Sequence, residues 1–311
     1  MAEREEDRKT SQAASYGSGR YVIGDVLGRG GMAVVYRTRD TVLARDVALK
    51  VVRRDEGASD DFARRLVREA RAAAQLCHPN IITIHDAGVA DDGSAWIVTE
   101  LLEGQPLDEA IAIGGALAAD EAIELARQAA EGLAVVHAAG IVHRDVKPAN
   151  IFVSHTVDGI HLKLLDFSIA RLPDHLVSRK LTKAGSIFGT PHYMAPEQVV
   201  SDPVSPATDV YALGCVLFEM LIGEPPFDAD NAVGVLRQHV LLAPPVIEEA
   251  ELGLPAGVAA LVADMMAKDA AERPRDAATV AARLRAIQRP DEAPRFDTPR
   301  HRPDTDAYTR E

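Results

Sequence analysis

The run His143-Arg144-Asp145-Val146-Lys147-Pro148-Ala149-Asn150 gathers a carboxylate, an ammonium and a neutral amide into one short segment. Transfer of a phosphoryl group to a hydroxyl needs that combination. A carboxylate must orient the hydroxyl and accept its proton, which suits Asp145. A cation must stand near the migrating group, which Lys147 supplies, and Asn150 offers a neutral oxygen for a metal ion. A second carboxylate, Asp166, emerges at the end of Lys163-Leu164-Leu165, an apolar run of strand type. Alone, an aspartate at a strand end is more often solvated or capping. The company of Asp145 and Asn150 favours a ligand that bridges metal to nucleotide phosphate.

A phosphate-binding end precedes this one in the chain. Leu27-Gly28-Arg29-Gly30-Gly31-Met32-Ala33-Val34-Val35 is rich in glycine, and glycines let backbone amides approach phosphate oxygens without a Cβ in the way. A tight hairpin turn explains such a run about as well. A strand follows it where a dinucleotide fold would place a helix, which disfavours that alternative. Val35 would cover an adenine ring from above, with Ala48 in the same pocket. In Val47-Ala48-Leu49-Lys50, a lysine inside an apolar strand must either snorkel or meet an anion; next to the glycine turn, a phosphate is the better partner. Its protein partner should be a carboxylate from the helix that follows. Glu69 is chosen over Glu56, Asp60 and Asp61, which fall in the loop or at the helix start, although a surface ion pair would also account for Glu69.

The elements that must position these groups divide the chain once. Short β-type runs recur at 21–23, 33–36, 47–52, 81–84 and 95–98. One helix interrupts them over 60–76, with Phe62, Leu66, Ala70 and Ala73 near a helical period. From Leu107 onward helices dominate: 120–137, with Asp120 as its N-cap, then 210–221 and 258–266. The expectation is an α+β fold of two lobes, a strand-rich one with one main helix over 21–100 and a helical one over 105–287. The cleft between them would hinge near Glu100 to Gly104. Residues 1–18 and 290–311, charged or rich in proline and small residues, are expected to be disordered tails.

With 311 residues and a formal net charge of −13, the chain can bury a core without staples and lacks the basic surface that nucleic acid or an anionic membrane requires. Two isolated cysteines, Cys77 and Cys215, form no disulfide framework and point to a reducing compartment. The ten histidines show no zinc-ligand spacing beside them. The charged N-terminus is not a signal peptide, and the longest apolar stretch, 210–222, carries Glu219 and reads as a buried helix.

In order along the chain stand the glycine run, Val47-Ala48-Leu49-Lys50, Glu69, His143 to Asn150, Asp166-Phe167, Gly189-Thr190-Pro191-His192-Tyr193-Met194-Ala195-Pro196-Glu197, Asp209-Val210-Tyr211-Ala212-Leu213-Gly214 and Arg273-Pro274. This series resembles the eukaryotic-type serine/threonine protein kinases over residues 21–287. Gly30-Gly31-Met32 and His78-Pro79-Asn80-Ile81 bring it nearest the bacterial branch. The resemblance implies an ATP-dependent kinase, with Mg2+ or alternatively Mn2+, that phosphorylates serine and threonine in proteins and in itself. It implies Lys50, Glu69, Asp145 and Lys147 as catalytic, Asn150 and Asp166 as metal ligands, Thr99 as gatekeeper, and adenine bonded by the backbones of Glu100 and Leu102 above Phe152. It further implies Thr190 beside Lys147 as a mark of serine/threonine specificity, a buried Glu197–Arg273 ion pair, and Asp209 holding the catalytic loop backbone.

Two positions depart from the family's pattern. Ala33 replaces the third glycine of the loop, a small change, and Ser168 follows Asp166-Phe167 where the family has glycine. Serine resists positive φ, so Ser168 should restrict flipping of this segment while leaving the metal ligand and the activity in place. A protein inactive with Mg-ATP whose Ser168→Gly variant transfers phosphate would refute that. Arg144 beside the catalytic aspartate implies an activating phosphate between Asp166 and Glu197. Of Ser178, Thr182, Ser186 and Thr190, Thr182 is preferred and Ser186 is second, because Ala184 stands where relatives often carry another threonine and Lys180 and Lys183 add positive charge. A pseudokinase scaffold and a small-molecule kinase are the competing readings. The first is opposed by the presence of Lys50, Asp145 and Asp166, the second by Ala195-Pro196-Glu197. With no membrane segment in the sequence, the expectation is a cytoplasmic kinase or a portion of a longer protein. Homodimer formation through the strand-rich lobe is carried over from the resemblance.

Overall fold

The structure is a computed structural model that describes residues 15–30, 33–53, 60–157, 159–166 and 191–288. Alternating side chains along Arg45–Val52 set Val47, Leu49 and Val51 on one face of a sheet and Ala48, Lys50 and Val52 on the other. That strand, β4, lies within a six-stranded antiparallel sheet made with β1 (Ser15–Tyr16), β2 (Tyr21–Arg29), β3 (Ala33–Asp40), β5 (Ile84–Val89) and β6 (Ala95–Glu100). The order is β1-β2-β3-β4-β6-β5. Helix α1 (Asp60–Ala73) covers the face that carries Lys50, burying Leu66, Ala70 and Ala73 with Ile84 and Ile97. Tyr21, Trp96 and Val98 join Val47, Leu49 and Val51 on the opposite face.

Three expectations are corrected in this lobe. Residues 15–18 are not all tail, because Ser15 and Tyr16 pair with Val22 and Tyr21, and the Tyr16 ring lies edge-on to Trp96 at 6.3 Å. The strand expected over 81–84 begins only at Ile84. Ile81 and Ile82 are buried instead by the connection that precedes it, where Ile82 N–H bonds the Leu164 carbonyl at 3.0 Å. Helix α1 ends at Ala73 rather than at residue 76.

Past the crossover at 101–104, the second lobe contains β7 (Gln105–Pro106), α2 (Leu107–Gly114), α3 (Ala119–Ala138), β8 (Ile151–Thr156) and β9 (Gly159–Leu164). After the undescribed stretch come α4 (Pro196–Val200), α5 (Pro206–Ile222), α6 (Ala232–Leu241), α7 (Glu249–Leu252), α8 (Val258–Met265) and α9 (Ala277–Gln288). Strands β7, β8 and β9 form a small antiparallel sheet. Helix α5 is the axis of this lobe, buried from Ala207 to Leu221. Gly214 lets it meet α8 closely, since a Cβ there would stand 2.9 Å from Met265. Glu219, in the last turn of that buried helix, accepts a 2.6 Å hydrogen bond from the Tyr193 hydroxyl. Asp120 does not cap α3; Ala118 occupies that position, and Asp120 and Glu121 lie in the first turn, where negative charge suits the helix dipole. The fold is α+β.

A latch of charged groups fastens α3 to α9. Arg127 pairs with both Glu124 and Glu131, Arg285 reaches Glu131 at 2.6 Å, and Gln288 reaches Glu124 at 3.1 Å. Burial works to raise the Glu124 carboxyl, but hydrogen bonds from Arg127, Gln128 and Gln288 outweigh it and hold it near 2, below its ordinary 4.5. A depressed carboxyl stabilises the fold above its unfolded pKa and loses that contribution as pH falls through its folded one. We therefore expect Glu124→Gln to lower the urea midpoint near neutrality. The gap to wild type should close between about pH 4.5 and about pH 2; a pH-independent gap would contradict the assignment.

Candidate active site

Helix α3 delivers the chain into the loop that ends in the 3₁₀ turn Pro148–Asn150, with Pro148 fixing its first position. Asp209, fully buried near the start of α5, holds the loop's entrance. Its carboxylate accepts the backbone N–H groups of His143 and Arg144, both at 2.7 Å, and Nε2–H of His137 at 2.8 Å. Arg144 is half-buried and takes a left-handed conformation, φ 67°. Beyond it the Asp145 carboxylate receives Lys147 Nζ at 2.8 and 3.1 Å and Asn150 Nδ2 at 2.8 Å. The Asp145 side chain is 46% exposed, open enough for a hydroxyl to approach.

Asp166 is brought beside this loop by two backbone bonds. Leu165 N–H reaches the Asn150 carbonyl at 2.8 Å, and the Leu165 carbonyl accepts from His143 Nε2 at 2.9 Å. With φ 41°, Asp166 turns its carboxylate toward Lys50, and the two form a short hydrogen-bonded ion pair. Burial works to raise this carboxyl, but the Lys50 ammonium outweighs it and holds the group below its ordinary value.

The expected Lys50–Glu69 pair is not formed. Among the described residues Glu69 Oε2 is buried without a hydrogen-bond partner, and burial pushes this carboxyl up despite the charges of Arg65, Arg68 and Arg144 nearby. Among the described residues Lys50 pairs with Asp166, whose carboxylate the backbone at that residue turns toward it.

On the strand side, cross-strand register makes a row of Gly28, Val35, Lys50 and Ile97 across β2, β3, β4 and β6, with Ala48 opposite Thr99. The glycine turn closes through Gly30 N–H on the Ala33 carbonyl at 2.8 Å. Among the described residues, a Cβ on Gly28 would meet nothing within 4 Å, so packing does not demand glycine there. Leu27, Arg29 and Val34 flank the turn in β2 and β3; Gly31 and Met32 lie outside the described residues. At the crossover, Leu102 packs beside the α1 cluster and Phe152 faces Gly104. Gly104 has φ 138°, and a Cβ would approach Val153 O to 2.2 Å, so only glycine fits. The Glu100 side chain is tied down, accepting Thr83 N–H at 2.7 Å and Lys163 Nζ at 2.8 Å.

Glu197 and Arg273 meet through two bonds of 2.8 Å, with the arginine side chain fully buried. Phe167, Ser168, Ser178, Thr182, Ser186 and Thr190 lie outside the described residues, as do residues 1–14 and 289–311 of the expected tails. Asn80 is the residue that sequence reasoning undervalued. Its buried amide donates to Gln128 Oε1 at 3.0 Å and to the Leu162 carbonyl at 2.9 Å, pinning the turn after α1 to the helical lobe. Gly132 of α3 makes room, since a Cβ there would lie 3.0 Å from the Asn80 carbonyl. In the sequence Asn80 stood out only as a member of the His78-Pro79-Asn80-Ile81 run, with no sign of its partners.

The Leu165–Asn150 backbone bond sets Asn150 and Asp166 in neighbouring segments, and both Asn150 side-chain bonds to Asp145 use its Nδ2, leaving Oδ1 for another partner. Among the described residues no group of three His, Cys, Asp or Glu side chains converges on a metal position. A pair of oxygen donors fits a hard cation that takes its other ligands from phosphate and water.

The family described as protein kinase domain is matched over residues 21–283. The chain is 40% identical over 287 residues to serine/threonine-protein kinase PknB of Mycobacterium leprae, covering 90% of this chain and 45% of that protein. It is also 40% identical over 252 residues to serine/threonine-protein kinase PrkC of Bacillus subtilis, covering 81% of this chain and 38% of that one. The chain thus spans less than half the length of these relatives. Among solved structures, the Mycobacterium tuberculosis PknI kinase domain is similar at a TM-score of 0.70 and 26% identity, covering 89% of this chain and 98% of that one.

Proposed function

From the premise that the chain belongs to the protein kinase domain family, matched over residues 21–283, we propose that it transfers the γ-phosphoryl of ATP to serine and threonine hydroxyls of proteins. The hydrogen-bonded cluster of Asp145, Lys147 and Asn150, with Asp166 set beside it by the Leu165–Asn150 backbone bond, carries this reading. Asp145 orients the incoming hydroxyl and accepts its proton. Lys147, already hydrogen-bonded to Asp145, is placed to offset charge on the migrating phosphoryl. Asn150 Oδ1 and the Asp166 carboxylate would hold Mg2+, which when bound neutralises phosphate charge. Lys50 reaches into the same space from β4 and would leave Asp166 for the nucleotide phosphates and Glu69. The glycine turn covers those phosphates, and adenine lies among Val35, Ala48, Thr99 and Phe152 against the backbones of Glu100 and Leu102.

The same reading takes residues 21–287 as the catalytic unit, with Thr182 and then Ser186 as sites of self-phosphorylation and Thr190 beside the substrate hydroxyl. A cytoplasmic location is supported by Cys77 and Cys215, both free. Among the described residues no helix is long and apolar enough to cross a membrane. Pairing of two copies through the strand-rich lobe would use a surface such as exposed Val42 and Leu43 in the β3–β4 turn. The test is incorporation of radiolabel from γ-labelled ATP into a protein substrate, run beside Asp145→Asn and followed by phosphosite mapping. Label on serine and threonine from wild type alone supports the proposal. Equal label from both proteins, or none from wild type, refutes it.

A further inference from the structure

We propose that Gln198 is a positioning residue for Asp145, gripping the strained backbone that aims the carboxylate; this rests on the kinase reading above. Arg144 has φ 67°, a conformation that a non-glycine residue keeps only when its surroundings impose it. Two peptide planes flank such a residue, and both must be fixed to hold it. Asp209 fixes the first by accepting Arg144 N–H at 2.7 Å. It does nothing for the second, the plane that joins Arg144 to Asp145, whose N–H end makes a long 3.4 Å contact with His143 Nδ1. Gln198 Nε2 donates to the Arg144 carbonyl at 3.0 Å and so fixes that second plane. Rotation there would swing the Asp145 side chain away from Lys147 and Asn150. The other end of the Gln198 amide is also engaged, with Oε1 accepting Ala195 N–H at 3.1 Å in the first turn of α4. With both ends of the amide bonded, its orientation is fixed and its donor stays on the loop. Ala195 to Gln198 close the stretch that begins after Asp166. A displacement of this anchor therefore reaches Asp145 through one side chain, without passing through the nucleotide site.

The two ends of the amide can be separated by chemistry. Gln198→Glu keeps an oxygen for Ala195 N–H and an acidic group in the first helical turn, where it is favoured, but it loses the donor to Arg144. The expected result is a thermal midpoint and an ADP affinity like those of wild type, with KM for ATP and for protein substrate unchanged. Turnover should fall by about 10- to 100-fold, as expected for a displaced catalytic group. Because the introduced carboxyl regains a donor when protonated, the ratio of variant to wild-type turnover should rise as pH is lowered. Gln198→Ala, which loses both ends, should match that loss in turnover and also lower the thermal midpoint.

Turnover of Gln198→Glu within twofold of wild type would overturn the proposal while leaving the kinase reading intact. So would a loss explained by a smaller folded, ADP-binding fraction, or a turnover ratio independent of pH. Absence of transfer by wild type would overturn both.

Discussion

Asp145→Asn should lower turnover by about 10²- to 10⁴-fold, the range spanned by loss of a general base, while KM for ATP stays within a factor of two. Asparagine is nearly the same size and still presents one oxygen to Lys147, which approaches the aspartate at 2.8 Å. What it cannot do is accept a proton from a hydroxyl. Its amide nitrogen would also turn toward Asn150 Nδ2 or toward the substrate, replacing attraction by a clash of donors. The folded state should scarcely notice, because the Asp145 side chain is 46% exposed and braces no core. A variant with an unchanged melting curve and unchanged ADP binding, yet with turnover within threefold of wild type, would remove Asp145 from the role of proton acceptor.

Arg273→Ala should be strongly destabilising. The guanidinium is fully buried and serves Glu197 through two bonds of 2.8 Å, the Ala207 carbonyl at 2.9 Å, the Ala267 carbonyl at 2.7 Å and the Lys268 carbonyl at 3.1 Å. Deleting it strands a carboxylate whose remaining side-chain partner is Thr208, together with three carbonyls. Breaking a buried pair by removing one partner costs about 3–5 kcal/mol. For a domain of this size that corresponds to a fall in melting temperature of about 6–10 °C. Lysine should not restore it, having one point of charge where a planar fork of donors is used. The double variant Arg273→Met with Glu197→Leu should melt above Arg273→Ala, since no charge is left alone. Differential scanning calorimetry decides the matter, and a fall under about 2 °C for Arg273→Ala would show that water or another group replaces the arginine.

The chemistry of the loop was legible because its members are neighbours in sequence: Asp145, Lys147 and Asn150 fall within one turn and a short extended lead-in, so spacing alone brought them together. The α+β division was legible for a similar reason, since strand and helix periods are local properties. Choices between distant partners were not. Which carboxylate Lys50 takes depends on where α1 rests against β4 and on the backbone turn at Asp166, neither of which a pattern contains. The role of Asn80 was hidden because its acceptors, Gln128 and Leu162, belong to other elements far along the chain. Ile81 and Ile82 looked like strand because they are apolar, but they are buried by the turn and by the end of β9. The strand at Ser15–Tyr16 escaped notice because its stabilising contact, the Trp96 ring, comes from another strand of the sheet.

Asn80 also sets how the strand-rich lobe can rearrange. Because its buried amide fastens the turn after α1 to α3 and β9, that end of α1 is a pivot seated in the opposite lobe. Glu69 lies one turn before the end of that helix at Ala73, close to the pivot. The carboxylate with an unpartnered oxygen is therefore carried by the end of α1 that the helical lobe holds, while Lys50 is carried by the sheet. A change in their separation is then a displacement of the sheet relative to that anchored helix end.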